Sequence, residues 1–534
     1  MKRNKGIAVL AVLVALLTLL VAGMLFVVLR YHIVDFKLYP KQAQELDLTG
    51  EEISVARYEK LASLMPDCKI YWNVPFQGTT VKNTTTELTV TELAAEDVDG
   101  LKYLPQLQKI NAMDCRDYDA LMYLRQQMPH IQVDYQLQIA GTWYDAAAEV
   151  VTVNTITREE ILSLQYLPKL TKVVACANSE KPDYAPLRNF CLNTGLEFCI
   201  SVGEQEISYE TTKLELEKIT DDELHLLQYL RNLESVHLVK PKAKAKSLLA
   251  LREQHPDASI TWEVKVAGKM YSDDTTEVDL SQVVVEDLKK VEKAMAYLPE
   301  AKLLILGLCG KDNPEWGNSK MDDKLAVSDI DNEEIAAFRD RVQDRYKVVW
   351  TIRLGPHIAL RTDADNFMPN HFGVGRLPDD YAHNLRYCTD MVCLDLGHMT
   401  VTHIEFVQFM PKLKYLILAW TNVKYIEPIR NCKELLFLEL DNSAIRDLAP
   451  LADCTKLEDL NFGNAFPEVE GILGMTWLKN VYMIDGSRSD AWKVSQALPD
   501  TRVVTTGNAT VGGNWRRMKN YYDMRDMLHA PYMN

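Results

Sequence analysis

The chain has 534 residues, 75 acidic against 59 basic, for a formal net charge of −16. That balance argues against nucleic-acid binding, which needs a clustered basic surface. Ten cysteines are scattered without a single C-x-x-C, which removes zinc-ribbon and thioredoxin-type chemistry.

Lys2, Arg3 and Lys5 precede Gly6 through Leu29, a stretch of 24 residues without charge. As a helix it spans the ~30 Å hydrocarbon core of a bilayer. A cleaved signal peptide is the competing reading, with Val21-Ala22-Gly23 as a tolerable cleavage site. The apolar run continues to Leu29, however, past the ~7–15 residues usual for a signal's apolar region, so an uncleaved anchor is preferred. Basic residues ahead of the span and an acidic-rich body behind it place the N-terminus inside and the body outside a cell membrane crossed once.

The next two thirds repeat at long intervals. Pro66, Ile70, Trp72, Val74 and Gly78 recur 63 residues later as Pro129, Val133, Tyr135, Leu137 and Gly141, and again as Pro256, Ile260, Trp262, Val264 and Gly268. The copy between keeps only the alternation Phe198, Ile200, Val202. Each unit is expected to form strand, helix, strand, helix and hairpin. Ile131, Val133, Tyr135, Leu137 and Ile139 alternate as a half-buried strand does, and Gly141 is the expected hairpin turn, leading back to residues 149–153. Residues 159–167 read as a short helix stopped by Pro168.

A break follows around Gly310 to Asp331. Residues 309–318 have loop chemistry, and Asp329–Asn332 before Glu333 marks a helix start. Asp322, Asp323, Asp329 and Asp331 could suggest a calcium loop, but their spacing fits no EF-hand, and a solvated loop with a helix cap is preferred.

The last third carries a 22-residue register. Leu413, Leu416, Leu418, Val423, Ile426 and Ile429 are followed by Leu435, Leu438, Leu440, Ile445, Leu448 and Leu451, and preceded by Met391, Leu394, Leu396, Val401, Ile404 and Val407. Further rows begin Leu457, Leu460, Phe462 and Leu478, Val481, Met483. This L-x-x-L-x-L pattern is that of leucine-rich repeats, whose units bury their apolar ridge only by stacking. The expected fold class is α/β: a leucine-rich repeat solenoid with an N-terminal transmembrane helix. Cys432 and Cys454, one coil apart, lie within disulfide range, though buried free thiols at a repeated core position are preferred.

With the leucines inward, the intervening residues line the concave sheet. Tyr415, Trp420, Leu436, Phe437 and Tyr482 form an apolar and aromatic stripe there, framed by Asp395, Glu439, Asp441, Glu458 and Asp459. Grouped exposed aromatics mark contact surfaces, so this stripe is the expected partner-binding face, suited to a basic or hydroxyl-rich protein or glycan. Coverage by the C-terminal segment or a long loop is the alternative. Tyr521, Tyr522, Met524, Met527 and Leu528 suggest a short amphipathic helix capping the last coil.

No catalytic constellation is expected. His357, His371, His383, His398 and His403 cluster in sequence, but none lies in H-E-x-x-H, and no metal site or cofactor is anticipated. Gly373-Val374-Gly375 lacks a third glycine and a preceding strand, so it is no dinucleotide loop. Asn83-Thr84-Thr85 and Asn508-Ala509-Thr510 are formal glycosylation sequons.

Residues 388–486 resemble the 22-residue repeats of internalin-like bacterial surface proteins, and more narrowly leucine-rich repeat proteins of gut clostridia. The resemblance implies a curved α/β solenoid and protein or glycan binding at a cell surface; it supplies no catalytic residues. The asparagine usual at the ninth repeat position is Met399, Thr421, Ser443 and Ala465 here, and Pro467 and Glu470 break the fourth row. The expected divisions are 1–32 (tail and anchor), 33–308 (long repeats), 309–345 (loop and helix), 346–486 (solenoid) and 487–534 (cap and tail). The expected function is membrane-anchored, non-enzymatic recognition at a bacterial surface. A scaffold or assembly factor of the envelope is the second reading, and a hydrolase hidden in the long repeats a remote third.

Overall fold

A computed structural model describes residues 3–231, 233–309, 326–355, 358–372, 375–508 and 514–530. Most of the 309–318 loop, Asp322, Asp323, His357 and Gly373-Val374 lie outside the described residues. An apolar helix occupies Arg3–Arg30, and its stretch Ile7–Arg30 is exposed along its whole length. The chain divides into two compact units: one of Met1–Leu214, Ile219–Glu234 and Glu253–Ala258, the other of Glu215–Lys218, Ser235–Arg252 and Ser259–Asn534.

The first unit is built from the long repeat. Val150–Val153, Lys172–Cys176 and Glu197–Val202 pair in parallel, with helices Arg158–Ser163 and Ala185–Thr194 as crossovers. Thr157 and Glu160 close the first crossover with a capping box, in which each side chain satisfies the other's orphan backbone N–H. One expectation needs correction. The chain turns at Ala140-Gly141 not toward 149–153 but immediately, into Thr142–Asp145 against Gln136–Ile139. Both turn residues have left-handed φ, so the hairpin is the tight two-residue kind, and 150–153 is free to open the next parallel sheet.

The aromatic marker of the long repeat is a core residue. Trp72 and Tyr135 are fully buried, and Trp72 stacks on Tyr58 at 4.3 Å. Trp72 N donates to Asn83 Oδ1 (3.1 Å) and Asn83 Nδ2 to Ile70 O (2.7 Å). That amide is buried and committed, which closes the first sequon to modification. The second unit repeats the device: Trp262 N donates to Asp273 Oδ1 (2.9 Å), and Trp350 N to Thr362 Oγ1 (3.1 Å). Trp350 is thus a further copy of the marker.

In the second unit, Glu277–Leu280, Leu303–Cys309 and Lys347–Gly355 run parallel. Asp331 caps the helix Asn332–Val342 by accepting from Glu334 N at 2.7 Å. Seven parallel strands follow: Asn366–Phe367, Cys393–Asp395, Tyr415–Ile417, Phe437–Glu439, Asp459–Asn461, Asn480–Tyr482 and Arg502–Val504. Their register, Cys393 to Tyr415 to Phe437 to Asp459, is the 22-residue spacing itself. The returning side of each coil is a 3₁₀ turn, such as Glu405–Phe409, Glu427–Asn431 and Ala449–Asp453. The leucine rows lie between the two layers in one continuous core. This is a leucine-rich repeat solenoid. Cys432 and Cys454 are buried free thiols, directed at Val407 O and Ile429 O. Thr421 donates to Leu418 O (2.7 Å) at the ninth position, whereas Ser443 Oγ is buried without a hydrogen-bond partner among the described residues.

Candidate recognition face

Alternation along each three-residue strand sends one side chain into the core and its neighbours to the concave side. Leu394, Leu416, Leu438, Leu460 and Val481 are fully buried inside the coils. Cys393, Tyr415, Ile417, Phe437, Glu439, Asp459 and Tyr482 face the other way and are nonetheless buried. The C-terminal segment accounts for this. Residues 514–530, with the helix Lys519–Met527, do not cap the last coil as the sequence suggests; the helix Arg488–Ala497 and strand Arg502–Val504 complete that coil. The segment instead lies as a strap across the sheet.

Trp515 is the strap's principal anchor. Its ring stacks on Phe437 at 4.5 Å and meets Tyr482 at 5.1 Å, and its Nε1 donates to Glu439 Oε2 at 2.7 Å. Asn520 Nδ2 donates to Asp459 Oδ2 at 2.8 Å. Tyr521, Met524, Leu528 and Ala530 complete an apolar layer with Met368, Cys393, Tyr415 and Ile417. Of the ten expected contact residues, Tyr415, Phe437, Tyr482, Glu439, Asp441 and Asp459 are therefore buried. Leu436, Asp395 and Glu458 are half-buried, and Glu458 pairs with Lys479 at 2.7 Å. The expectation of an open stripe is corrected to this extent. Aromatic rings on a concave sheet gain by exchanging water for a matching apolar helix, and this chain supplies one.

Trp420 stays open, with 53% of its surface exposed. It follows its strand at φ +57, the left-handed region, as do His398, Asn442, Asn464 and Asp485 in the neighbouring coils. Asparagine tolerates that backbone and tryptophan does not, by about 1 kcal/mol. The indole lies against the His398 ring at 5.7 Å and 21°. The coil register places His398 on this face, one coil before Trp420.

Burial raises the carboxyls of Asp395, Asp441 and Asp459 above their ordinary value and pushes Glu439 up to about 7. The Trp515 indole and the Arg516 charge pull Glu439 down, while Asp395 and Asp441 push it further up. A carboxyl raised in the folded state contributes stability that is fully present below its ordinary value of 4.5 and is lost as pH rises through about 7. Glu439→Gln keeps an acceptor for the indole and removes the titration. It is expected to match the wild type at pH 5 and exceed it at pH 8, by as much as about 3 kcal/mol, read from denaturant melts at both pH values.

A cleft of about 650 Å³ lies in the first unit, and its titratable lining groups are Arg125, Asp134, Tyr135, Asp145 and Lys169.

No family model matches the sequence, and no curated relative matches it. Among solved structures the chain is similar to internalin C2 from Listeria monocytogenes, at 17% identity, with 28% of this chain and 76% of that one covered and a TM-score of 0.21. A second internalin of the same organism matches at 14% identity over 66% of this chain and 85% of its own, with a TM-score of 0.20. A leucine-rich repeat protein of Leptospira interrogans matches at 13% identity over 78% and 93%, with a TM-score of 0.22.

Proposed function

We propose that this chain is a single-pass, membrane-anchored protein that recognises a protein partner outside the cell, without catalysis, through the rim of the concave sheet at Trp420 and His398. The observation that carries the reading is Trp420 itself. About half of this indole stays in water, on a backbone better suited to the asparagine found in the next two coils, although it bonds to Asp441 and lies against His398; its exposed aromatic surface is suited to contact. The net charge of −16 speaks against nucleic acid. The anchor is Ile7–Arg30, 24 residues none of which is buried, about 36 Å of helix against a ~30 Å core.

Trp420→Asn separates binding from folding. The variant is expected to stay within about 1 kcal/mol of the parent in stability, since the relieved backbone offsets the lost indole contacts with Asp441 and His398, and to lose the dominant partner in a cross-linked pull-down from native envelope. An unchanged set of neighbours would remove the rim as the site. It would favour an envelope scaffold instead, a reading supported by the strap, which closes most of the concave sheet.

A further inference from the structure

The residues directly after the membrane-spanning helix form a hairpin of unusual character. Tyr31–Val34 pairs with Lys37–Pro40, with Tyr31 opposite Pro40 and Ile33 opposite Leu38. One face is structural: Val34 and Tyr39 are buried in the core of the first unit. The other face carries Tyr31, Ile33, Leu38 and Pro40, with no charged side chain and the Tyr31 hydroxyl as its one polar group. Ile33 is 53% and Leu38 49% exposed.

The turn is the second observation. Asp35 and Phe36 both have left-handed φ, +48 and +61, the two-residue turn that normally requires glycine. Three other hairpins make the same turn as Gln77-Gly78, Ala140-Gly141 and Ala267-Gly268, all with positive φ at both positions. Where those have glycine, this one has phenylalanine, and its ring is entirely exposed. A bulky residue in a strained backbone, wholly in water, gains nothing from the folded body.

The helix supplies what the ring lacks. The hairpin starts at the residue after Arg30, and Lys41 N donates to Arg30 O at 2.9 Å, so both ends of the hairpin are fastened to the helix terminus. Four residues of strand reach about 13 Å, enough to cross the ~5–8 Å headgroup layer of one leaflet. Arg30 and Lys41 flank the hairpin at the helix end, as the cationic residues of membrane interfaces do, while Lys37, on the structural face, pairs with Glu51 at 2.6 Å.

We propose that the hairpin 31–40 is a membrane-docking element: its face of Tyr31, Ile33, Leu38 and Pro40 lies in the headgroup–acyl boundary of the outer leaflet, with Phe36 as the inserted tip. It orients the start of the repeat body on the bilayer. The inference rests on the reading of Ile7–Arg30 as an uncleaved anchor.

The test uses the full chain in phosphatidylcholine vesicles. Cys68→Ser and Cys176→Ser remove the two thiols that are not buried. An environment-sensitive fluorophore is then placed at Phe36→Cys or, on the next hairpin, at Thr80→Cys. The expected result is a blue-shifted label at position 36, quenched several-fold more by lipid-borne nitroxide than the label at 80. Equal exposure of both labels to an aqueous quencher, in chains that resist alkaline washing of the vesicles, would overturn the docking and leave the anchor standing. Release of the chain by that washing would overturn the anchor, and the docking with it. Phe36→Gly provides the folding control: it is expected to melt no lower than the parent, while a label at Leu38→Cys loses its lipid quenching.

Discussion

Trp515→Ala is expected to cost about 3–5 kcal/mol, among the largest losses available to a single side chain in this molecule. The ring is fully buried between Phe437 and Tyr482, and its removal leaves a cavity the size of an indole on a sheet too stiff to collapse. It also takes the indole donor from Glu439, a carboxyl already buried beside Asp395 and Asp441. A buried acid deprived of a donor is costly to ionise, so the loss should be larger at pH 8 than at pH 5. The coils have their own continuous leucine core, so the damage is expected to be local. Amide exchange should accelerate first in Lys519–Met527 and on the concave strands, before the 3₁₀ layer changes. Trp492→Ala, at a site 65% exposed, should change neither stability nor exchange measurably.

Gly471→Ala is the second large effect, and it arises from the stacking of coils. A Cβ there would lie 2.3 Å from Ala449 N, 2.6 Å from Ala449 Cα and 2.7 Å from Leu448 C. These are backbone atoms of the preceding coil, so no rotamer change relieves the overlap, and the coils must separate. The expected loss is about 3 kcal/mol, visible as a lowered melting temperature. Gly474→Ala three residues on, where an added Cβ meets nothing within 4 Å, should be nearly silent. The pair isolates close coil packing from any general effect of replacing glycine.

The irregularity of that coil was visible in the sequence as Pro467 and Glu470 interrupting the fourth row, but the reason was not. The 3₁₀ turn there is only Glu470–Ile472, and it passes so close to Ala449 that only glycine fits. The leucine register, by contrast, was readable residue by residue. A side chain that recurs every 22 positions and is always apolar has a single consistent solution, a stack of coils with that row inside. Pairwise strand register follows from it without further information. The long repeat was readable at Trp72, Tyr135 and Trp262, but Trp350 escaped because it follows Trp262 by 88 residues, with a long insertion between.

The candidate face was half readable for a different reason. Which side chains point to the concave side is local geometry, and Tyr415, Phe437, Glu439 and Tyr482 were identified from that alone. Whether they meet water depends on where residues 514–530 go, a contact across some 76 positions of sequence in the case of Glu439 and Trp515. The tail's Tyr, Met and Leu spacing says that it is an amphipathic helix needing an apolar surface. It does not say which, and both the last coil and the aromatic sheet were on offer. The sheet presents rings and buried acceptors matched to Trp515 and Asn520, whereas the last coil is already closed by Arg488–Ala497.

The central claim is that partners meet the rim at Trp420 while the sheet beside it is closed by the chain's own strap. Site-specific photo-cross-linking tests it most directly, with benzoylphenylalanine placed at position 420 or at 436 in the full chain in native membranes. The account predicts an intermolecular adduct from 420, and from 436 only intramolecular adducts to residues 514–530. An intermolecular adduct from 436, with none from 420, would contradict it and return the whole concave sheet to the partner.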